Sequence, residues 1–261
     1  MPYPAPEATS AATLRRLSIG ELLNLGFGLA RYRLWFLVVT AAWAIVPGFL
    51  VSVALAIAVP SAVVGSLPTF LAVLAAVPAA LLACGSILDP TVLPLGSDPV
   101  AIYRTVLKRT PALLVVGVLV VLLVVPTFVI LPFGVFLAVR WSMVVSAVVL
   151  EGRSALTGLR ETWRLTRGSF WQIFGVLVVV AMLALVVNFI VEGVFVASGA
   201  AIFTVARSPS TALVVGNLAN SLGALVVIPF AAAINIVLFY ELNARYGSID
   251  LLVRARRPRG G

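Results

Sequence analysis

The side chains that could do chemistry inside an apolar environment are few, and five stand out: Arg140, Asn188, Glu192, Asn217 and Asn220. Arg140 lies between the apolar runs 133–139 and 141–150, where an ionised group is costly unless it is partnered or reached by water. Asn188 and Glu192 are one helical turn apart, and Asn217 and Asn220 are three residues apart, so each pair shares a helix face. If the run 134–150 descends from the outer side, Arg140 sits roughly 9 Å below that side, at 1.5 Å per residue. The run 170–196 climbs from the inner side and brings Glu192 to a comparable depth, while 211–240 starts there with Asn217 and Asn220. The expected arrangement is therefore an Arg140–Glu192 ion pair with Asn188, Asn217 and Asn220 around it. The plainer alternative is that Arg140 snorkels to the outer headgroups. Such a cluster could be a self-satisfied structural pair or the lining of a substrate pocket.

A second basic group is amphipathic. In the segment 151–169, Arg153, Arg160, Arg164 and Arg167 line one helical face and Leu156, Leu159 and Trp163 another, as expected for a helix on an anionic lipid surface. Other chemistries lack their residues. Histidine is absent, which removes the commonest general base and metal ligand. Cys84 is the only cysteine and falls in an apolar run, which excludes an intramolecular disulfide and a structural metal site of cysteines. No Ser/His, Cys/His or paired-aspartate arrangement is present in adjacent apolar runs, so no catalytic residue, metal site or cofactor is expected.

The elements that would position these side chains are long apolar helices. Apolar residues make up 62% and charged residues 10% of the chain, and the mean hydropathy of +1.17 is far above that of a water-soluble domain. The expected class is an all-α polytopic integral membrane protein, with no room left for an additional soluble catalytic domain of ordinary size. Residues 1–17 read as a disordered cytoplasmic tail and not as a cleavable signal peptide. Ser18 and Glu21 form a capping-box pair that starts a helix at Ile19, with Glu21, Asn24, Gly28 and Arg31 as its polar stripe. Six spans follow, at about 34–59, 69–88, 112–131, 134–150, 170–196 and 211–240, within a membrane domain of 18–247. A turn is expected over 60–68, an alanine face in the second span at Ala72, Ala76, Ala79, Ala80 and Ala83, a separate short helix after Asp98, and a stop at Gly168.

The formal charge of +9 is spread in short clusters between apolar runs, the pattern of membrane orientation and not of a nucleic-acid module. Lys and Arg concentrate before the first span, after the second, after the fourth and in the basic tail 248–261, whereas the alternate loops carry only Arg207. By the positive-inside rule both termini are cytoplasmic, and an even number of spans is required. The cell membrane is the expected location, with anionic headgroups on its cytoplasmic side as one partner and a membrane or peripheral protein as another.

Four stretches, LSIGELLNLGF at 17–27, RWSMVVSAVVLEG at 140–152, LRETWRLTRGSFWQIFG at 159–175 and YELNARYGSIDL at 240–251, together resemble the membrane domain of glycerophosphoryl diester phosphodiesterases and of related stand-alone bacterial membrane proteins of unassigned function. The resemblance implies a six-helix membrane domain. It does not imply the phosphodiesterase activity, which in that family belongs to a separate soluble domain with histidines and acidic metal ligands. Two functions are therefore expected to compete: an accessory or scaffold membrane domain without catalytic chemistry, and a transporter or lipid-handling protein with a polar pocket among spans 4, 5 and 6.

Overall fold

The computed structural model describes residues 17–59, 62–94, 97–127, 131–203 and 209–256, and all of its regular elements there are helices. Ser18 caps α1 (Ile19–Tyr32): its hydroxyl accepts the Glu21 N–H at 3.2 Å and the Glu21 carboxylate accepts the Ser18 N–H at 2.7 Å. This is the reciprocal capping box read from the sequence. The stripe also holds, since Asn24, Gly28 and Arg31 are exposed whereas Leu22, Gly26 and Ala30 are buried. Gly26 sits so close to Ile234 that an added Cβ would lie 2.9 Å from the Ile234 Cα, and this fixes how α1 crosses the last helix.

The helices α2 (Leu34–Ala58) and α3 (Ala62–Leu88) form a close antiparallel hairpin. Ala76, Ala79, Ala80 and Ala83 are fully buried, and Gly48 of α2 lies so near Ala72 of α3 that no Cβ fits between them. Without water to drive apolar groups together in lipid, close backbone approach of this kind supplies the attraction. The turn expected over 60–68 is much shorter, because α3 already begins at Ala62 and contains Pro68. Pro68 is tolerated through two neighbours. The Thr69 N–H donates to the Ser52 hydroxyl at 2.9 Å, and the carbonyl of Gly65, four residues before Thr69, accepts the Asn217 side-chain amide at 3.1 Å.

Two further boundaries differ from expectation. The short helix after Asp98 and the third span are one continuous helix, α4 (Pro99–Thr127), and residues 128–130 lie outside the described residues. The fourth span is split into α5 (Leu131–Trp141) and α6 (Val144–Glu151), with a turn at Ser142 and Met143. Asn235 occupies that break, donating to the Ser142 carbonyl at 3.4 Å and accepting the Ser146 hydroxyl at 2.6 Å. Gly152, at φ 65°, ends α6 in the left-handed region, and α7 (Ala155–Leu165) folds back on α6 with Gly158 against Val148. Gly168, at φ 89°, separates α7 from α8 (Phe170–Phe203), as expected.

The antiparallel partner of α8 is α9 (Pro209–Arg256), a helix of 48 residues that extends past the expected end of the sixth span at 240. Facing α1, α2, α3 and α8, it acts as the spine of the bundle. Among the described residues, five helices are long and apolar enough to cross a membrane: Leu34–Ala58, Val63–Leu88, Gly134–Glu151, Phe170–Val194 and Thr211–Arg245. The regular structure of the described residues is therefore all-helical, with helices of the length and composition of membrane spans.

Candidate functional site

Because the chain turns immediately after Trp141, Arg140 is in the last turn of α5 and reaches sideways to the end of α7. Its Nη1 donates to the Trp163 carbonyl at 3.3 Å and to the Thr166 hydroxyl at 3.2 Å. Its Cζ lies 5.0 Å from the centre of the Phe136 ring and 4.9 Å from that of Trp163. Two ring faces, together with the partial negative charge at the C-terminus of a helix, stabilise a guanidinium without a carboxylate. No acidic side chain pairs with Arg140 among the described residues.

The expected Arg140–Glu192 pair is thus not formed. The Phe136 ring under Arg140 is 5.4 Å from Phe170, the first residue of α8, whereas Glu192 is about 22 residues, or about 33 Å, further along that helix. The expected depth started from Gly134 at the level of Glu192, whereas Phe136, two residues further on, packs against the opposite end of α8. Glu192 is exposed, as is Asn220. Asn188 donates to the Ala184 carbonyl of its own helix at 2.8 Å and fills the notch left by Gly223 on α9. Asn217 belongs to the α3 repair described above. Arg140 is therefore at the other end of α8 from the remaining four, which share one end of the α8–α9 pair but are turned apart: Asn188 to α9, Asn217 to α3, and Glu192 and Asn220 outward.

The basic face of α7 is partly neutralised by its own acids. Arg153 pairs with Glu151 and, at 3.6 Å, with Glu161, and Arg164 pairs with Glu161 at 2.5 Å. Arg160 and Arg167 are exposed. The face that packs on the protein is formed by Ala155, Gly158, Thr162 and Leu165, which are buried, while Leu156 and Trp163 are exposed. Small residues let α7 approach α6, and the bulky apolar ones are left on the outside with the arginines.

Sequence reasoning missed three polar contacts. Ser52 with Thr69 and Asn235 with Ser142 and Ser146 both repair helix breaks, and the signal for them was a proline or an isolated polar residue inside an apolar run. The third is at the end of the bundle where α8 begins: Glu241 pairs with Arg245, Arg245 donates to the Gln172 side-chain amide oxygen at 3.4 Å, and the Gln172 side chain donates to the Leu17 carbonyl at 2.8 Å. That set ties the start of α1 to α8 and α9, and only the i,i+4 spacing of Glu241 and Arg245 was visible beforehand. Outside the spans, the Thr91 hydroxyl and N–H hold the exposed Asp89 carboxyl below its usual range. Among the described residues no three His, Cys, Asp or Glu side chains are placed to hold a metal ion.

Comparison of the chain with protein-family models, with curated proteins and with solved structures found no match.

Proposed function

We propose that this chain is a six-span membrane domain with both termini in the cytoplasm and no catalytic chemistry of its own, serving as an accessory or scaffold for another membrane or peripheral protein. The span that completes the six is the third, the second half of α4, which continues from a basic helix into an apolar one. The observation that carries the scaffold reading is how the interior polar groups are used: Ser52, Asn217 and Asn235 each satisfy backbone at a helix break, and Arg140 closes the end of α7. None is left converging on a shared cavity. The transporter alternative, which needs a pocket among spans 4, 5 and 6, loses its support with the separation of Arg140 from Glu192. The reading agrees with the resemblance to the membrane domain of glycerophosphoryl diester phosphodiesterases, and the exposed Arg160 of α7 and Arg167 just after it suit a surface of anionic headgroups.

Two measurements test it together. With Cys84 replaced by Ser, cysteines at Ser66 and Ser208 should react with a membrane-impermeant thiol reagent in intact cells, and cysteines at Ser10 and Ser248 should not. A photo-crosslinking residue at Leu185, on the exposed face of α8, should yield one discrete protein adduct in cells. Labelling at Ser10 from outside overturns the orientation, and lipid adducts alone at Leu185 overturn a scaffold that docks through α8.

A further inference from the structure

We propose that the groove between α1, the end of α3 and α9 is a binding site for one glycerophospholipid, with an acyl chain in the groove and the phosphate on Arg31 and Arg33. The cavity measures about 630 Å³, within the range of roughly 300–1,000 Å³ typical of small-molecule sites. Its walls are carbon: Leu25 and Leu29 from α1, Leu88 from α3 and Val237 from α9. The polar members of the lining are Asn24 and the two tyrosines Tyr32 and Tyr240, whose rings offer an apolar body and a polar tip. Gly28 also lines it, and a Cβ there would meet nothing within 4 Å, so the space over α1 is open.

Charge sets the orientation of the occupant. Tyr32 is exposed and is flanked by Arg31 and Arg33, with the Arg33 guanidinium 5.7 Å from the Tyr32 ring centre. Among the described residues neither arginine has an acidic partner. The exposed Trp35 follows directly, as at a headgroup boundary. Two unpaired guanidiniums beside a carbon-lined slot fit a ligand that joins a phosphodiester to a hydrocarbon chain. On the α3 wall the next residue after Leu88 is Asp89, held ionised by Thr91, so the cationic side of the groove is the α1 side. Inorganic phosphate would satisfy the arginines and leave the slot empty; diacylglycerol would do the reverse.

The inference rests on the reading of the chain as membrane-embedded with α1 at the cytoplasmic face. Full-length protein in mild detergent is assayed by native mass spectrometry with dioleoylphosphatidylglycerol, dioleoylglycerol and inorganic phosphate as separate probes. Wild type should bind one phosphatidylglycerol, dioleoylglycerol more weakly, and inorganic phosphate not at all. Gly28→Leu, which fills the groove, should weaken phosphatidylglycerol binding by at least about tenfold. Gly20→Leu on the same helix, where a Cβ also meets nothing within 4 Å, should leave binding unchanged. Both substitutions raise helix propensity, so loss of fold does not mimic the result. Arg31→Gln with Arg33→Gln should weaken phosphatidylglycerol binding and spare dioleoylglycerol. Equal binding by Gly28→Leu and wild type, or full competition by inorganic phosphate, overturns the proposal. Should the thiol labelling reverse the orientation while the Gly28→Leu effect persists, the site stands and only the leaflet changes.

Discussion

The helices α3 and α8 are similar in length and apolar content, yet they are built into the molecule in opposite ways. In the most apolar stretch of α3, 61% of the residues are buried inside the protein, against 11% for α8. The difference follows from side-chain size. α3 carries alanines at helical spacing that admit neighbours on its face, whereas Met182, Leu185, Val186, Phe189 and Ile190 of α8 are large and point outward. Burial in α8 is concentrated at its N-terminal end, where Ile173 and Val176 are covered, and a notch at Gly223 receives Asn188 further along. Apolarity thus makes both helices membrane segments, and only the distribution of small residues decides which of them is core.

The contrast can be broken at its strongest point by Gly48→Leu. With Ala72 occupying the space, the substitution must part α2 from α3 and should cost about 3 kcal/mol or more, read by steric trapping or chemical denaturation in bicelles. A change under about 0.5 kcal/mol would mean that the hairpin is not close-packed.

An intermediate effect is expected at the N-terminal end of α8. Arg140→Ala removes two hydrogen bonds and two ring contacts from the α7–α8 junction and should cost about 1–2 kcal/mol. It should also speed hydrogen exchange in 155–170. Glu192→Gln should neither rescue nor aggravate that loss, because the two sites are separated by most of α8. Coupling above about 0.5 kcal/mol in the double-mutant cycle would restore the ion pair that the geometry removes.

The smallest effect belongs to the outward face of α8. Leu185 is 70% exposed, so Leu185→Ala should change stability in lipid by no more than about 0.5 kcal/mol. A loss comparable to that of Gly48→Leu would show that this face is buried by something other than lipid.

The legible part of this molecule was what depends on local pattern. The capping box at Ser18, the stop at Gly168, the alanine face of α3 and the polar stripe of α1 are each set by residues within a turn or two of one another. What failed was depth. Placing Arg140 beside Glu192 required Gly134 to lie level with Glu192, and the contact that puts this stretch of α5 at the other end of α8, Phe136 on Phe170, joins residues far apart in sequence. The same holds for Pro68, which read as a turn because Ser52 and Asn217, the groups that keep it helical, are not its sequence neighbours. Periodicity reports a helix's faces; it does not report who mends its backbone.

That mending has a consequence for how the protein is made. Both donors, Asn217 and Asn235, lie on α9, which leaves the ribosome after α3 and α5, while the carbonyls they serve, at Gly65 and Ser142, are made earlier. Until α9 arrives, the α2–α3 hairpin and the α5–α6 break must hold those groups against lipid or find temporary water. The nascent chain therefore passes through a stage in which α2, α3, α5 and α6 are present while the carbonyls of Gly65 and Ser142 still lack the side chains that serve them, and their satisfaction waits on α9.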